Sequence, residues 1–314
     1  MNSSQILTAE IPESLAGMRF DQALSELFPD FSRSRLQRWI KNGSATVDDR
    51  PLTPSHRIWG GERVALRVAI EPITEIEGQD IPLSIVYEDE AILIINKPAG
   101  LVVHPAAGHW CGTLQNALLH HAPELVGIPR CGIVHRLDKD TSGLLVAAKT
   151  LQAHKSLVDQ LHERSVQREY LALAQGTIIA GGTVDEPIGR HPVDRKRFTV
   201  RYEGKSAVTH YRVEERFLNH TLVRVKLDTG RTHQIRVHLA HLHYPLVGDP
   251  VYGGRLRIPP GASEDLATAL RNFQRQALHA KKLGLMHPKT GDYCEWQADL
   301  PQDFAELLNA LNAN

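Results

Sequence analysis

The stretch Cys131–Gly143, CGIVHRLDKDTSG, is the densest run of reactive side chains in the sequence. His135, Arg136, Asp138, Lys139, Asp140, Thr141 and Ser142 crowd into eight positions, and the apolar run GLLVAAK follows at once. Gly132–Val134 reads as the end of one strand and Gly143–Lys149 as a buried strand, so the charged residues form the loop between them. Rigid scaffolds commonly present reactive groups on such loops. A carboxylate placed there can act as a nucleophile or as a base. The same composition also makes an ordinary polar turn, in which Asp138 or Asp140 caps backbone amides and the cations face water.

Histidine is abundant, at 17, and His238, His241 and His243 spell HxxHxH after His233. A metal-dependent hydrolase with histidine and carboxylate ligands is one reading. Helical spacing speaks against it. His238 and His241 would share a face, but His243 would point well away from His241. There is no HExxH and no compact HD pair, so no metal site is expected.

Two segments gather cations. Arg33, Arg35, Arg38 and Lys41 lie in one short helical stretch, and Arg190, Arg195, Lys196, Arg197, Arg201 and Lys205 lie in GRHPVDRKRFTVRYEGK. Each suits RNA phosphates, and each would also serve as a solvated surface. Over the whole chain of 314 residues, 36 Lys+Arg balance 36 Asp+Glu. That balance excludes a protein that coats nucleic acid by bulk charge, while leaving local basic surfaces open. Three scattered cysteines, Cys111, Cys131 and Cys294, make neither a disulfide framework nor a zinc knuckle. No secretory signal is visible at the start, and the longest apolar stretches are far too short to span a bilayer. A cytoplasmic protein is expected.

The elements that must position these residues fall into two units. In Arg19–Leu27, Phe20, Ala23, Leu24 and Leu27 have helical spacing, and Pro29 ends the pattern. A second helix over Arg35–Asn42, stopped by Gly43, puts Leu36 and Ile40 on one face and Arg38 and Lys41 on the other. Short strands follow at Ala45–Val47 and Arg63–Val68. Residues 71–82, acidic with two prolines and a glycine, read as a linker. From Leu83 onward strands are expected at Ile85–Tyr87, Ala91–Asn96, Glu169–Gln175, Ala207–Glu214 and Thr221–Leu227. Helices are expected at Thr113–His120, Leu151–Glu163, His233–His243, Glu264–Phe273 and Asp303–Leu311. The absence of regular alternation argues against a doubly wound parallel sheet.

Ordered motifs run through the whole chain. RFDQAL, SRSRLQRWIKNGSATVDD and GGERVAL resemble the S4 RNA-binding domain. NKPAGLVVHP (Asn96–Pro105), HRLDKDTSG, REYLAL (Arg168–Leu173) and LDTGRTHQIRVHLAHLHYPLVGDPVYG (Leu227–Gly253) resemble the RluA-type RNA pseudouridine synthases. The resemblance implies an α+β fold: a mixed, mostly antiparallel central sheet flanked by helices over 83–314, and a small S4-like α/β RNA-binding domain over 1–70. It implies an isomerase that breaks the N1–C1′ bond of uridine, rotates the base and rejoins it through C5, without a cofactor. By position in the motifs, Asp138 would be the catalytic carboxylate, and Arg231 would pair with it, holding it charged and oriented. Tyr170 would lie against the uracil ring as a candidate for handling the C5 proton. Ile235 would flank the same pocket, and Arg136 would fill the RNA stack that the flipped base vacates. The expected partner is ribosomal RNA of the large subunit, at the hairpin of the subunit interface, with transfer RNA as the alternative target. No membrane and no obligatory protein partner is implied, and a monomer is expected. A non-catalytic RNA-binding protein built on the S4-like unit would not need Asp138, Arg231 and Tyr170 together.

Overall fold

In the computed structural model the described residues are 4–29, 31, 33–69, 76–105, 111–194 and 196–314, with the side chains of 4–5, 33–35 and 68–69 excepted. The chain divides into two units, Met1–Glu75 and Ile76–Asn314.

The first unit follows the expected order with two strands added, one in front and a two-residue one between the expected strands. It comprises β1 (Ser4–Glu10), α1 (Phe20–Leu27), α2 (Arg33–Lys41), β2 (Ala45–Val47), β3 (Arg50–Pro51) and β4 (Arg63–Ala69). The strands form one antiparallel sheet in the order β1-β4-β2-β3. Phe20, Ala23 and Leu24 of α1 and Leu36, Trp39 and Ile40 of α2 are buried together against Val64 and Leu66 of β4. Their helical spacing is what lets two short helices share one core. Asp21 is fully buried at the start of α1 and is held by Arg19 Nε at 2.9 Å and Gln37 Nε2 at 2.7 Å, which ties the two helices together. Arg38 and Lys41 are exposed on the face of α2 opposite its apolar side.

The second unit begins earlier than the expected linker boundary. Residues 71–75 lie outside the described residues, but Ile76 packs on the second unit's core. Asn116 Nδ2 donates to the Glu77 carbonyl at 2.9 Å, and Gln79 N donates to the Asn116 carbonyl at 3.0 Å. The segment from 76 is therefore docked by hydrogen bonds rather than a free connector.

This unit contains β5 (Ile85–Glu88), β6 (Ile92–Lys97), α3 (Leu114–His121), β7 (Ser142–Ala148), α4 (Leu151–His162), β8 (Gln167–Gln175), β9 (Gly182–Asp185), β10 (Ile188–Arg190), β11 (Phe198–Val200), β12 (Val208–Phe217), β13 (His220–Leu227), α5 (Gln234–His241), α6 (Glu264–Asn272), β14 (Leu278–Met286), β15 (Tyr293–Gln297) and α7 (Gln302–Asn312). Nine of the strands form one sheet, β5-β6-β7-β14-β8-β13-β12-β9, with β15 also paired to β14. Among the described residues of this sheet, β7 and β14 alone run parallel and the other strand pairs are antiparallel. The expected mixed, mostly antiparallel sheet flanked by helices is the observed architecture.

Both faces of the sheet are covered, so β7 is buried at every position. One face carries the core around Leu145, Ala147, Tyr170, Ala172, Val223, Val225 and Ile235; Leu173 and Leu222 point to the other, under α6 and α7. The alternation along β8 divides Arg168, Tyr170 and Ala172 from Glu169, Leu171 and Leu173. Where β7 begins, a Cβ on Gly143 would lie 2.3 Å from the Ala280 oxygen, so the parallel contact with β14 requires glycine there.

His279 on β14 is fully buried, with Nδ1 2.9 Å from Ser142 Oγ and Nε2 3.3 Å from the Ala298 carbonyl. Nε2 donates to that carbonyl, which leaves Nδ1 to accept the serine hydroxyl. Burial pushes the imidazole down to about 4 from its ordinary 6.5. Between those values the unfolded chain takes up a proton that the folded protein refuses, so stability falls as pH drops through that window, by up to about 1.4 kcal/mol per pH unit. Urea unfolding of a His279→Asn variant should show a shallower loss of stability between pH 6.5 and 4 than the parent. A slope equal to the parent's would mean that His279 is not the group responsible.

Candidate active site

The loop between Ile133 and Ser142 is fixed from below by backbone and side-chain donors. Lys97, at the end of β6, is fully buried, and its Nζ donates to the carbonyls of Pro98 at 2.8 Å, Leu101 at 2.9 Å and Lys139 at 2.9 Å. Burial pushes its ammonium down to about 8, while Asp140 and Asp138 draw it the other way. Gly100 N also donates to the Lys139 carbonyl, and Arg275 Nη1 to the Asp140 carbonyl at 3.2 Å. The NKPAG segment thus clamps the loop one residue past Asp138. In place of the expected strand end at Gly132–Val134 there is a turn at Pro129–Gly132, in which Arg130 and Cys131 are left-handed. A bridge from Ile133 to Ala147 ties it to the sheet.

Asp138 points into a cleft of about 1040 Å³ in the second unit. Its Oδ2 accepts from Arg236 Nη1 at 3.0 Å. Arg236 sits within α5, only 5% exposed, and gives its Nε and Nη2 to Asp249 at 2.7 and 2.8 Å. Asp249 Oδ1 in turn accepts from the backbone N–H groups of Val251 and Tyr252. Burial works against the charge on Arg236, but the Asp249 pair outweighs it, with Asp138 adding to it, and the guanidinium is held above its ordinary range. Burial likewise opposes Asp249's charge, and the Arg236 hydrogen bonds overcome it, so that carboxyl lies below its usual value. One guanidinium therefore bridges a buried anchoring carboxylate and the carboxylate that faces the cleft.

This corrects the expectation for Arg231. Arg231 lines the cleft, but it is exposed and its Nε donates to the Ser206 carbonyl at 3.0 Å. It stands before α5, in the turn closed by Gln234 Oε1, which accepts from Arg231 N at 2.9 Å. Arg236 lies one and a half turns further on, on the buried side. A charge inside the apolar run IRVHL, with an aspartate in GDPVYG beyond it, was the available signal, since a buried arginine needs a partner.

Tyr170 and Ile235 are buried, at 6% and 4% exposure, and both line the cleft with Leu227 and Leu278. Burial pushes the Tyr170 phenol up, and Arg168 counteracts this in part. Arg136 is exposed at the cleft. His233 is a left-handed residue capping α5; its Nδ1 lies 2.8 Å from Tyr252 Oη and its Nε2 3.9 Å from Asp138 Oδ1. Burial lowers its imidazole, against the pull of Asp138.

Among the described residues, six arginines (Arg130, Arg136, Arg164, Arg168, Arg231 and Arg236) line the cleft, against two carboxylates, Asp138 and Asp228. The neutral chain thus has a cationic cleft, suited to an anionic polymer. The 190–205 segment forms the hairpin β10–β11, whose Ile188, Phe198 and Val200 pack on Val237 of α5 and on Tyr252. Arg190 and Lys196 are exposed on it, and Arg197 stacks over Tyr252 at 5.5 Å. Arg195 lies outside the described residues, as do the side chains of Arg33 and Arg35. His238 is engaged through both nitrogens, by Thr209 Oγ1 and the Glu186 carbonyl, while His241 and His243 are exposed. Among the described residues no three His, Cys, Asp or Glu side chains converge in a way that could hold a metal. None of the described helices is long and apolar enough to cross a membrane.

Residues 91–241 match the family model described as RNA pseudouridylate synthase. The chain is 59% identical over 303 residues to ribosomal large subunit pseudouridine synthase D of Pseudomonas aeruginosa, covering 96% of this chain and 95% of that protein. It is 55% identical over 309 residues to the Escherichia coli K12 protein of the same name, covering 98% and 95%. Among solved structures it is similar to human RNA pseudouridylate synthase domain containing 4, with 26% identity and a TM-score of 0.59 over 73% of this chain and 93% of that one.

Removing Arg236 leaves Asp249 buried and unpaired, so Arg236→Met should cost about 3–5 kcal/mol of stability by urea unfolding. Arg231→Met should stay within about 0.5 kcal/mol of the parent. Equal losses in the two variants would contradict the different placements of these arginines.

Proposed function

This chain belongs to the RNA pseudouridylate synthase family, and from that membership we propose its substrate and the roles of its residues. The enzyme isomerises specific uridines of large-subunit ribosomal RNA, in the hairpin at the subunit interface. The observation that carries the assignment of roles is the convergence of Asp138, Tyr170 and Ile235 on one cationic cleft, with Asp138 fastened by Arg236. Residues from the 133–142 loop, from β8 and from α5 meet there although they lie far apart in sequence.

Uridine in stacked RNA hides both C1′ and C5, so the nucleotide must be extruded, at a cost of a few kcal/mol. Arg136, exposed at the cleft, offsets this by occupying the vacated stack. The extruded base lies against Tyr170, with Ile235 beside it. Asp138 acts on the nucleotide as nucleophile or base, oriented by Arg236. The C1′–N1 bond breaks, the base turns, C5 bonds to C1′, the C5 proton leaves and N1 gains a proton. The exposed cations Arg136, Arg190 and Lys196 and the partly exposed Arg197, with Arg38 and Lys41 of the first unit, bind backbone phosphate, while the S4-like unit adds a second hold on the RNA. Relatives whose names specify the ribosomal large subunit, matched over nearly their full length, support the choice of substrate.

Asp138→Asn should abolish pseudouridine formation on large-subunit RNA while RNA binding persists; product formed by that variant would remove Asp138 from the reaction. Pseudouridine mapping in cells lacking the gene should show sites missing from large-subunit RNA that return on complementation. Missing sites confined to transfer RNA would overturn the substrate. Reversing charge at Arg190 and Lys196 should weaken RNA binding and lower the salt slope by about one unit per lost contact.

A further inference from the structure

The arginines of the cleft separate by environment. Arg130, Arg136, Arg164 and Arg231 are exposed at its edges. Arg236 is committed to two carboxylates. Arg168 differs from both groups. It projects from the central strand β8 on the same face as Tyr170, two residues away, and is half-buried. Its Nε is buried without a hydrogen-bond partner, and no carboxylate among the described residues pairs with it. Of the three side chains with such an atom among the described residues, Arg168 alone lines the cleft. Its Nη1 rests on the backbone of Gly230, since a Cβ there would lie 2.8 Å away. A cation partly withdrawn from water and left without a counter-charge is costly unless something transient supplies one.

The reaction supplies a negative charge at this place. If Asp138 attacks C1′, a C–O bond forms and the C1′–N1 pair leaves with the base. If a base removes the 2′ proton, elimination sends the same pair to N1. If Asp138 adds at C6, the displaced pair becomes an enolate ending on O4. Each route loads charge onto the uracil ring and its carbonyl oxygens, and the charge is gone once C5 has bonded to C1′, the C5 proton has left and N1 has taken up a proton. We propose that Arg168 is the electrostatic partner of uracil while the ring carries this charge, its guanidinium donating to a ring carbonyl oxygen. This rests on the reading that the base lies against Tyr170. A donor aimed at charge that exists only during reaction accelerates chemistry more than it tightens binding.

Arg168→Gln and Gly230→Ala test it in single-turnover assays on the RNA hairpin, with thermal melting to confirm folding. The glycine variant leaves the guanidinium intact but displaces it. Both should slow uridine conversion, Arg168→Gln by about 100-fold or more, with RNA affinity within about threefold of the parent. The same hairpin carrying 5-fluorouridine, whose ring bears negative charge more readily, should lose less on either substitution, measured as disappearance of unmodified 5-fluorouridine. Weakened RNA affinity with equal losses on both substrates would make Arg168 a phosphate contact and overturn the proposal, as would a rate near the parent's. Asp138→Asn is run alongside. If it is active, the site reading falls and the Arg168 role with it; if it is inactive while Arg168→Gln is unimpaired, only the Arg168 role falls.

Discussion

The second unit is organised around one buried guanidinium. Arg236 cannot sit inside α5 uncompensated, and Asp249 neutralises it with two short hydrogen bonds. The remaining nitrogen, Nη1, then has one direction left, and Asp138 lies on it. A carboxylate on a loop would otherwise sample many rotamers; here its position is inherited from a helix and a turn. The Gly248–Tyr252 turn, α5 and the 133–142 loop must all be in register for this to hold. Lys97 performs the matching task on the backbone, fixing the Lys139 carbonyl next to Asp138. A carboxylate held to one geometry depends on such support from residues beyond its own contacts.

Much of the arrangement was legible from the amino-acid pattern. GLLVAAK is buried at nearly every position because both faces of the sheet are covered, and an uninterrupted apolar run signals that. Leu36 and Ile40 against Arg38 and Lys41 correctly divided α2. The central strand β14 was not legible. Its run LHAKKLGLM breaks the period of two at Lys281–Lys282, where the pairing with β8 shifts register through a bulge. Arg231 and Arg236 stand five residues apart in one motif, and only the fold distinguishes the exposed turn from the buried helix face. Because α5 is buried from Gln234 to Leu239, it lacks the polar–apolar alternation that would have oriented it.

Charge distribution links the fold to its RNA. Equal numbers of acids and bases give the chain no bulk attraction to nucleic acid, yet arginines outnumber carboxylates three to one in the cleft. The acids are spent elsewhere, as in the Glu88–Glu90 turn, where Lys149, His121, His287 and Lys289 meet them. Attraction concentrated at local basic surfaces, rather than spread over the chain, favours a defined seat for the RNA over sliding contact.

The central claim is that Arg236, and not Arg231, orients Asp138 for reaction. Single-turnover rates and RNA affinities of Arg236→Lys and Arg231→Lys test it most directly, since lysine keeps the charge but not the forked geometry. The result predicted is a rate loss of about 100-fold or more for Arg236→Lys with affinity little changed, and a loss of less than about tenfold for Arg231→Lys. A near-parental rate for Arg236→Lys, or a collapse confined to Arg231→Lys, would contradict it.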